Sequence, residues 1–211
     1  MTRLRCVNGE KYYGKTQILK MVNLDCEAGE ITGIVGRNGA GKTVLFKALC
    51  GLITLDAGEV FVGDKKKENG EILKSVGVII EEPAFISNIS GIRNLEYLYM
   101  INHKMDKGYL NNIMKKVGLD PNSRKHVGKY SMGMRQRLAI AQAIMENPDI
   151  LILDEPFNGL DNTGVDEMRV LLQELKKQGK IILVASHNAE DIRILCDRVF
   201  QMDGGILTEI R

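Results

Sequence analysis

Short apolar runs alternate with amphipathic stretches along most of the chain. The predicted strands are residues 31–35, 150–153 and 181–185, followed by a hairpin of 198–202 and 206–209 around Asp203-Gly204-Gly205. Apolar residues at helical spacing predict helices at 44–50 and at 165–175, the second of which ends near two lysines and Gly179. Strands that alternate with helices favour an α/β fold with a mainly parallel sheet.

The middle of the chain has a different pattern. Between residues 85 and 146 the spacing is mainly helical, with predicted helices at 92–105, 109–117 and 132–145. We therefore predict a helical lobe (85–146) inserted into an α/β core (1–84 and 147–211). The first thirty residues predict a small antiparallel addition with a turn at Tyr12-Tyr13-Gly14. The run Lys65-Lys66-Lys67, followed by Glu68, predicts a solvated turn.

Composition excludes several classes of protein. The 211 residues are 44% hydrophobic, and 29 basic against 27 acidic side chains leave a net charge of +2, which argues against a nucleic-acid partner. The longest glycine-free apolar run is 181–185, whereas a membrane span needs about 20 apolar residues. The first residues lack the apolar region of a secretion signal. The four cysteines have no CxxC spacing, which favours buried, reduced thiols.

A glycine-rich segment, GRNGAGKT at residues 36–43, follows the first predicted parallel strand and opens a helix. This is the G-x-x-x-x-G-K-[ST] pattern of a phosphate-binding loop, or P-loop. Its backbone N–H groups can point at phosphate oxygens, Lys42 can reach the β- and γ-phosphates, and the Thr43 hydroxyl can ligate Mg²⁺. The residues expected to bind a nucleoside triphosphate here are Gly36, Asn38, Gly39, Ala40, Gly41, Lys42, Thr43 and Val44.

A second motif places two acids at the end of a buried strand. The apolar run 150–153 is followed by Asp154, Glu155 and Pro156. Carboxyl ends of parallel strands face the ligand crevice, so these acids should lie beside the P-loop. We expect Asp154 to hold Mg²⁺ and Glu155 to accept a proton from an attacking water.

Together these motifs resemble the nucleotide-binding subunit of the ABC (ATP-binding cassette) ATPases. The segment YSMGMRQRL at 130–138 is similar to the family's signature motif, in which Ser131 and Gly133 would contact the γ-phosphate of ATP held by a second subunit. The resemblance covers nearly the whole chain. It implies a P-loop NTPase (RecA-like) core with an antiparallel β addition and a helical lobe.

Other positions match the family individually. Tyr13 resembles the aromatic residue that stacks on adenine, although the neighbouring Tyr12 leaves the register open. The segment NGLD at 158–161 resembles the D-loop, which touches the partner subunit, and places Asp161 there. His187, at the end of a predicted strand, resembles the switch histidine that contacts the γ-phosphate.

Two departures from the family pattern point to a subgroup. Glu81 stands where the family has a glutamine, and it would be a magnesium ligand that adds negative charge. Met132 and Met134 replace a glycine and the final glutamine of the signature. The combination resembles the bacitracin-resistance and lantibiotic-immunity exporters.

The resemblance implies an ATPase that uses ATP and Mg²⁺, with Glu155, His187 and Lys42 as catalytic residues and Thr43, Glu81 and Asp154 at the metal. It also implies a homodimer that sandwiches two ATP and powers a separate membrane permease from the cytoplasmic face of the membrane, for export of a peptide antibiotic. The docking groove would lie near 81–94. The alternative is a non-transport ABC ATPase in translation, DNA repair or iron–sulfur assembly.

Overall fold

The chain begins with a four-stranded antiparallel sheet, in the order β2-β1-β4-β5. The computed structural model describes residues 3–68, 70–81 and 84–211, apart from the side chain of Ala189. Strand β1 pairs along most of its length with both β2 and β4. The four strands are β1 (Arg3–Tyr13), β2 (Thr16–Glu27), β4 (Ala57–Val62) and β5 (Lys65–Lys66).

A second sheet of six strands forms the centre of the molecule. Its strands are β3 (Ile31–Val35), β6 (Val76–Ile79), β7 (Ile150–Asp154), β8 (Ile181–Ser186), β9 (Arg198–Asp203) and β10 (Ile206–Glu209). The order is β10-β9-β3-β8-β7-β6, and all neighbours are parallel except the β9–β10 hairpin. The carboxyl ends of β3, β7 and β8 therefore meet at one edge of this sheet.

Six α-helices accompany the sheets in the described residues. They are α1 (Lys42–Cys50), α2 (Gly91–Tyr99), α3 (Lys107–Lys116), α4 (Met132–Ile144), α5 (Asn162–Lys177) and α6 (Ala189–Leu195). Helix α1 directly follows the P-loop, with Gly41 as its N-cap and Gly51 as its C-cap. Both glycines have a positive φ, of 113° and 85°, that side-chain-bearing residues rarely adopt.

The core lies on both faces of the central sheet because its middle strands are apolar throughout. Leu151 and Leu153 of β7 pack with the helices α2–α6 on one face, while Ile150 and Ile152 pack against α1 and the antiparallel sheet on the other. This alternation follows from the twofold repeat of a strand. At Gly77 the helix α4 approaches β6 so closely that a Cβ would lie 1.9 Å from the carbonyl oxygen of Ala143. All four cysteines are free and buried, as predicted, and burial raises the pKa of each thiol well above its ordinary value.

Three local predictions are wrong. The turn expected at Tyr12-Tyr13-Gly14 lies at Gly14 and Lys15, because the tyrosines continue β1 and Gly14 takes the positive φ. The lysine run is not a solvated turn. Lys65 and Lys66 pair with β4, and the Lys67 ammonium donates to the carbonyl oxygen of Glu71 at 2.6 Å.

The third error is the predicted helix 92–105, which ends six residues earlier than expected. Helix α2 ends at Tyr99, where the N–H groups of Asn102 and His103 both donate to the Tyr99 carbonyl oxygen. Asp106 then caps α3 by accepting a hydrogen bond from the N–H of Tyr109. Helices α2, α3 and α4 all fall within 85–146, but the division of the chain into core and lobe at those bounds stays a prediction.

Candidate active site

The P-loop curls between β3 and α1 around the side chain of Lys42. Lys42 is buried, and its ammonium donates to the carbonyl oxygen of Gly36 at 2.7 Å. Gly39 has a φ of 82°, and a Cβ on Gly36 would lie 2.4 Å from the carbonyl oxygen of Met202. The loop therefore needs glycine at position 39 because of the backbone conformation, and at position 36 because the neighbouring chain packs so closely.

A cavity of about 400 Å³ opens over the P-loop. Its lining residues are Tyr13, Ile18, Arg37, Asn38, Gly39, Ala40, Gly41, Lys42, Thr43, Val44, Asp154 and Glu155. Tyr13 lines the cavity, whereas the Tyr12 hydroxyl donates to Glu10. Of the predicted P-loop residues, Gly36 alone lies outside this lining, at the start of the loop.

Asp154 and Thr43 meet at the base of the cavity. The Thr43 hydroxyl donates to Oδ2 of Asp154 at 2.5 Å, which links α1 to the end of β7. Burial raises the pKa of Asp154 above its ordinary value, the Thr43 hydrogen bond lowers it, and the charge of Glu155 raises it again. The half-buried carboxylate therefore lies where a cation would be favourable.

These residues fit a magnesium ion that arrives with phosphate. Hydroxyl and carboxylate oxygens are the donors that Mg²⁺ prefers, and Mg²⁺ is bound through one or two carboxylates plus substrate phosphates. The described part of the chain contains no group of three or more acidic, histidine or cysteine side chains that could hold a metal alone. Phosphate oxygens would have to complete the coordination.

Glu155 and His187 form a pair at the ends of β7 and β8. The backbone N–H of His187 donates to Oε1 of Glu155 at 2.9 Å, and Nδ1 of the ring lies 2.9 Å from Oε2. Glu155 has a φ of 50°, in the left-handed region that favours glycine. Such backbone conformations are disfavoured for side-chain-bearing residues and are frequent at active sites.

Glu81 lies after β6, beside this group of acids. It lines a second cavity of about 350 Å³ together with Thr43, Ile79, Met132, Arg135, Gln136, Asp154, Glu155 and Asn158. Its carboxylate forms an ion pair with the Lys47 ammonium at 2.5 Å. Glu81 is therefore near the predicted magnesium position, while its charge is paired with α1.

The signature residues lie away from the P-loop cavity. Ser131 caps α4 by accepting a hydrogen bond from the N–H of Met134 at 3.2 Å. Asp161 likewise caps α5, accepting from the N–H of Gly164 at 2.9 Å. A Cβ on Gly133 would lie 2.8 Å from the carbonyl oxygen of Gly159, so the two segments touch. Ser131, Gly133 and Asp161 are absent from the lining of the P-loop cavity.

Comparison with known proteins decides the family. The family model described as "ABC transporter" matches residues 19–158. The chain belongs to the ABC transporter family. It is an ATP-binding cassette and an ATPase, as the resemblance implied.

The relatives agree with the predicted subgroup. The cassette is 42% identical to the bacitracin transport ATP-binding protein BcrA of Enterococcus faecalis, over 96% of this chain and 67% of that protein. It is 34% identical to the lantibiotic transport ATP-binding protein SrtF of Streptococcus pyogenes, over 98% of this chain and 90% of that one. The chain thus spans about two thirds of the length of BcrA and most of SrtF.

A solved structure confirms the predicted fold. A bacterial ABC transporter cassette solved as a dimer superposes with a TM-score of 0.87 at 23% identity, covering 99% of both chains. No helix in the described part of the cassette combines the length and hydrophobicity needed to cross a bilayer.

Two side chains that touch these groups were missed by the sequence analysis. The Gln136 amide on α4 donates to the carbonyl oxygens of Glu155 and Pro156, at 3.3 and 2.9 Å. Lys47 pairs with Glu81. Gln136 follows the signature directly, but nothing in its spacing indicates which carbonyl groups it reaches. Lys47 lies four residues after Thr43, so the helical repeat alone places it on the same face of α1.

Proposed function

We propose that this cassette binds and hydrolyses ATP as half of a dimer around two ATP molecules, and that the dimer powers a separate permease that exports a peptide antibiotic. The observation that supports it most strongly is the convergence of three groups at one cavity. The P-loop, the Thr43–Asp154 hydrogen bond and Glu155 all line it. These are the parts that phosphoryl transfer to water requires.

Nucleotide binding would use the cavity as it stands. The ring of Tyr13, about half exposed at the rim, would stack on adenine, and the backbone N–H groups of the loop would meet the phosphates. The Lys42 ammonium would exchange the Gly36 carbonyl for phosphate oxygens. Because Lys42 is already buried and directed along the loop, this exchange needs little reorganisation.

Hydrolysis requires a proton acceptor near the γ-phosphate. Magnesium, held by Thr43, Asp154 and Glu81, would neutralise phosphate charge. The Glu155 carboxylate would accept the proton of the attacking water as the bond to ADP breaks. His187 contacts this carboxylate through both its backbone N–H and its ring, so it would orient Glu155 and respond to the γ-phosphate.

The second subunit would complete each site. Ser131 and Gly133 lie at the N-terminus of α4, where the helix dipole favours an anion, yet they do not line the cassette's own cavity. A head-to-tail dimer would bring them to the partner's γ-phosphate, with Asp161 at the interface. The dimeric solved cassette of the same fold supports this arrangement.

The proposed transport function is supported by BcrA and SrtF, which are named for bacitracin and lantibiotic transport. The permease would dock near residues 81–94, where Ile86 is half exposed; residues 82 and 83 of this segment lie outside the described part of the chain. The cassette would be bound to the permease at the cytoplasmic face of the membrane.

Export can be tested by producing the cassette in a susceptible bacterium together with the permease that co-purifies with it. We expect survival in bacitracin or a lantibiotic to rise with the wild-type cassette, and to fall to the level of the empty host with Lys42→Ala. The measurement is the concentration of bacitracin or lantibiotic that inhibits growth. An immunoblot checks that the wild-type and variant cassettes are present in equal amounts. Protection that persists with Lys42→Ala would contradict ATP-driven export. A permease complex that hydrolyses ATP without protecting against either class would contradict the proposed substrate.

The Gln136 contact predicts a separate effect on turnover. Gln136→Leu has a similar volume but no donor, so the strained backbone at Glu155 loses one hydrogen-bonding partner. We expect kcat to fall about tenfold, the equivalent of one hydrogen bond, with little change in the KM for ATP. Gln142→Leu, further along the same helix, is the matched control. A fall in kcat of equal size in both variants, or a raised KM with constant kcat, would contradict this role.

A further inference from the structure

Glu81 and Lys47 form an ion pair at the edge of the predicted magnesium position. The Lys47 ammonium lies 2.5 Å from Oε1 of Glu81, and the Lys47 side chain is only 27% exposed. Lys47 belongs to α1, four residues after Thr43. Residues four apart share one face of a helix, so the lysine and the magnesium-binding hydroxyl lie one turn apart on the same face.

The cavity beside this pair is rich in negative charge. Glu81, Asp154 and Glu155 all line it, and Arg135 of α4 lines it as well. Burial and the charge of Glu155 raise the pKa of Asp154 most, and the charge of Glu81 raises it further. The carboxylates of Glu81 and Asp154 therefore repel each other. Among the described residues, the Lys47 ammonium forms the ion pair with the Glu81 carboxylate.

The backbone at Glu81 indicates that its position depends on such contacts. Its φ of 62° lies in the left-handed region, which a residue with a side chain adopts only when its surroundings favour it. The ion pair fixes the carboxylate at α1 in this conformation. A glutamine at the same position would lack the charge that attracts the lysine.

We propose that Lys47 is a positioning residue that holds the Glu81 carboxylate in the nucleotide-free cassette and competes with the divalent cation for it. The inference rests on the proposed binding of Mg²⁺ with ATP. Binding of the magnesium–nucleotide complex would release Glu81 from Lys47, and removal of Lys47 would leave the carboxylate free for the cation. By competing for Glu81, Lys47 would limit the increase in nucleotide affinity that Mg²⁺ produces.

A double-mutant cycle tests this without measuring hydrolysis. The measured quantity is the ratio of the Kd for a fluorescent ATP analogue in EDTA to its Kd in excess Mg²⁺, for wild type, Lys47→Met, Glu81→Gln and the double variant. We expect Lys47→Met to raise this ratio about two- to fivefold, the range of a partly exposed ion pair, with the Kd in EDTA unchanged. In the Glu81→Gln background, Lys47→Met should leave the ratio unchanged. Lys47→Arg, which keeps the charge, should remain close to wild type.

The outcomes separate this inference from the proposed function. A ratio that changes equally in both backgrounds, or in neither, would overturn the role of Lys47 even though wild type binds the magnesium–nucleotide complex. A higher Kd in EDTA after Lys47→Met would indicate that Lys47 contacts the phosphates directly. That result would also overturn the proposed positioning role. Wild type that binds no nucleotide, or binds it without regard to Mg²⁺, would refute the proposed function and the inference together. Thermal unfolding of all five proteins checks that each is folded.

Discussion

The variant Glu155→Gln is expected to lose steady-state ATP turnover by about 10²- to 10⁴-fold, the usual contribution of a general base. Glutamine keeps the volume and can still contact His187, but it cannot accept the proton of the attacking water. The nucleotide cavity is otherwise unchanged, because the P-loop and the Thr43–Asp154 contact do not involve this side chain. ATP should therefore bind and remain unhydrolysed.

The measurement is phosphate release at saturating ATP, together with the nucleotide retained after gel filtration. Glu174→Gln, an exposed glutamate on α5, is the matched control and should leave turnover unchanged. Turnover at the wild-type rate in Glu155→Gln would show that another group accepts the proton. Loss of ATP binding in the same variant would show that Glu155 acts in binding, not in chemistry.

Two inactive variants should restore activity to each other when mixed. Lys42→Ala removes the charge that meets the phosphates, and Ser131→Arg blocks the anion-binding end of α4. In a head-to-tail dimer of the two variants, both defects fall in one site and the other site is intact. With random pairing, half of the dimers are mixed and each has one sound site of two, so about a quarter of wild-type turnover is expected.

A second mixture is the control for this experiment. Lys42 and Glu155 line the same cavity of one chain, so Lys42→Ala mixed with Glu155→Gln leaves a defect in every site. That mixture should stay inactive. Equal recovery in both mixtures, or no recovery when mixed dimers are shown to form, would contradict shared sites. Ser131 is exposed, so the arginine fits sterically, at the cost of about 1 kcal/mol for the lost cap.

The fold and most of the nucleotide cavity follow from local sequence. The P-loop pattern predicts a strand, a loop and a helix in that order. The acids that follow an apolar strand must lie at the edge where the P-loop begins, because the carboxyl ends of parallel strands meet there. The structure accordingly brings Lys42, Thr43, Asp154 and Glu155 to one cavity. The caps at Ser131 and Asp161 are also local, because each side chain accepts from the N–H group three residues further along the chain.

Contacts that depend on the packing of distant elements could not be predicted in this way. Gln136 reaches carbonyl groups 19 and 20 residues away only because α4 lies against the end of β7. The ion pair of Lys47 with Glu81 forms with Glu81 in a left-handed backbone conformation, for which an isolated glutamate in the sequence gives no indication. The early end of α2 is not visible in the apolar spacing either: the Tyr99 carbonyl oxygen accepts from the N–H groups of Asn102 and His103, and Asp106 caps a separate helix, α3.

The central claim, that ATP joins two of these cassettes into one catalytic unit, is tested most directly by the mass of Glu155→Gln in solution. Light scattering after gel filtration should give the mass of one chain without nucleotide. With ATP it should give twice that mass, with two ATP molecules retained per dimer and no dimer formed in ADP. A Glu155→Gln protein that retains ATP and remains a single chain at the same concentration would contradict the claim.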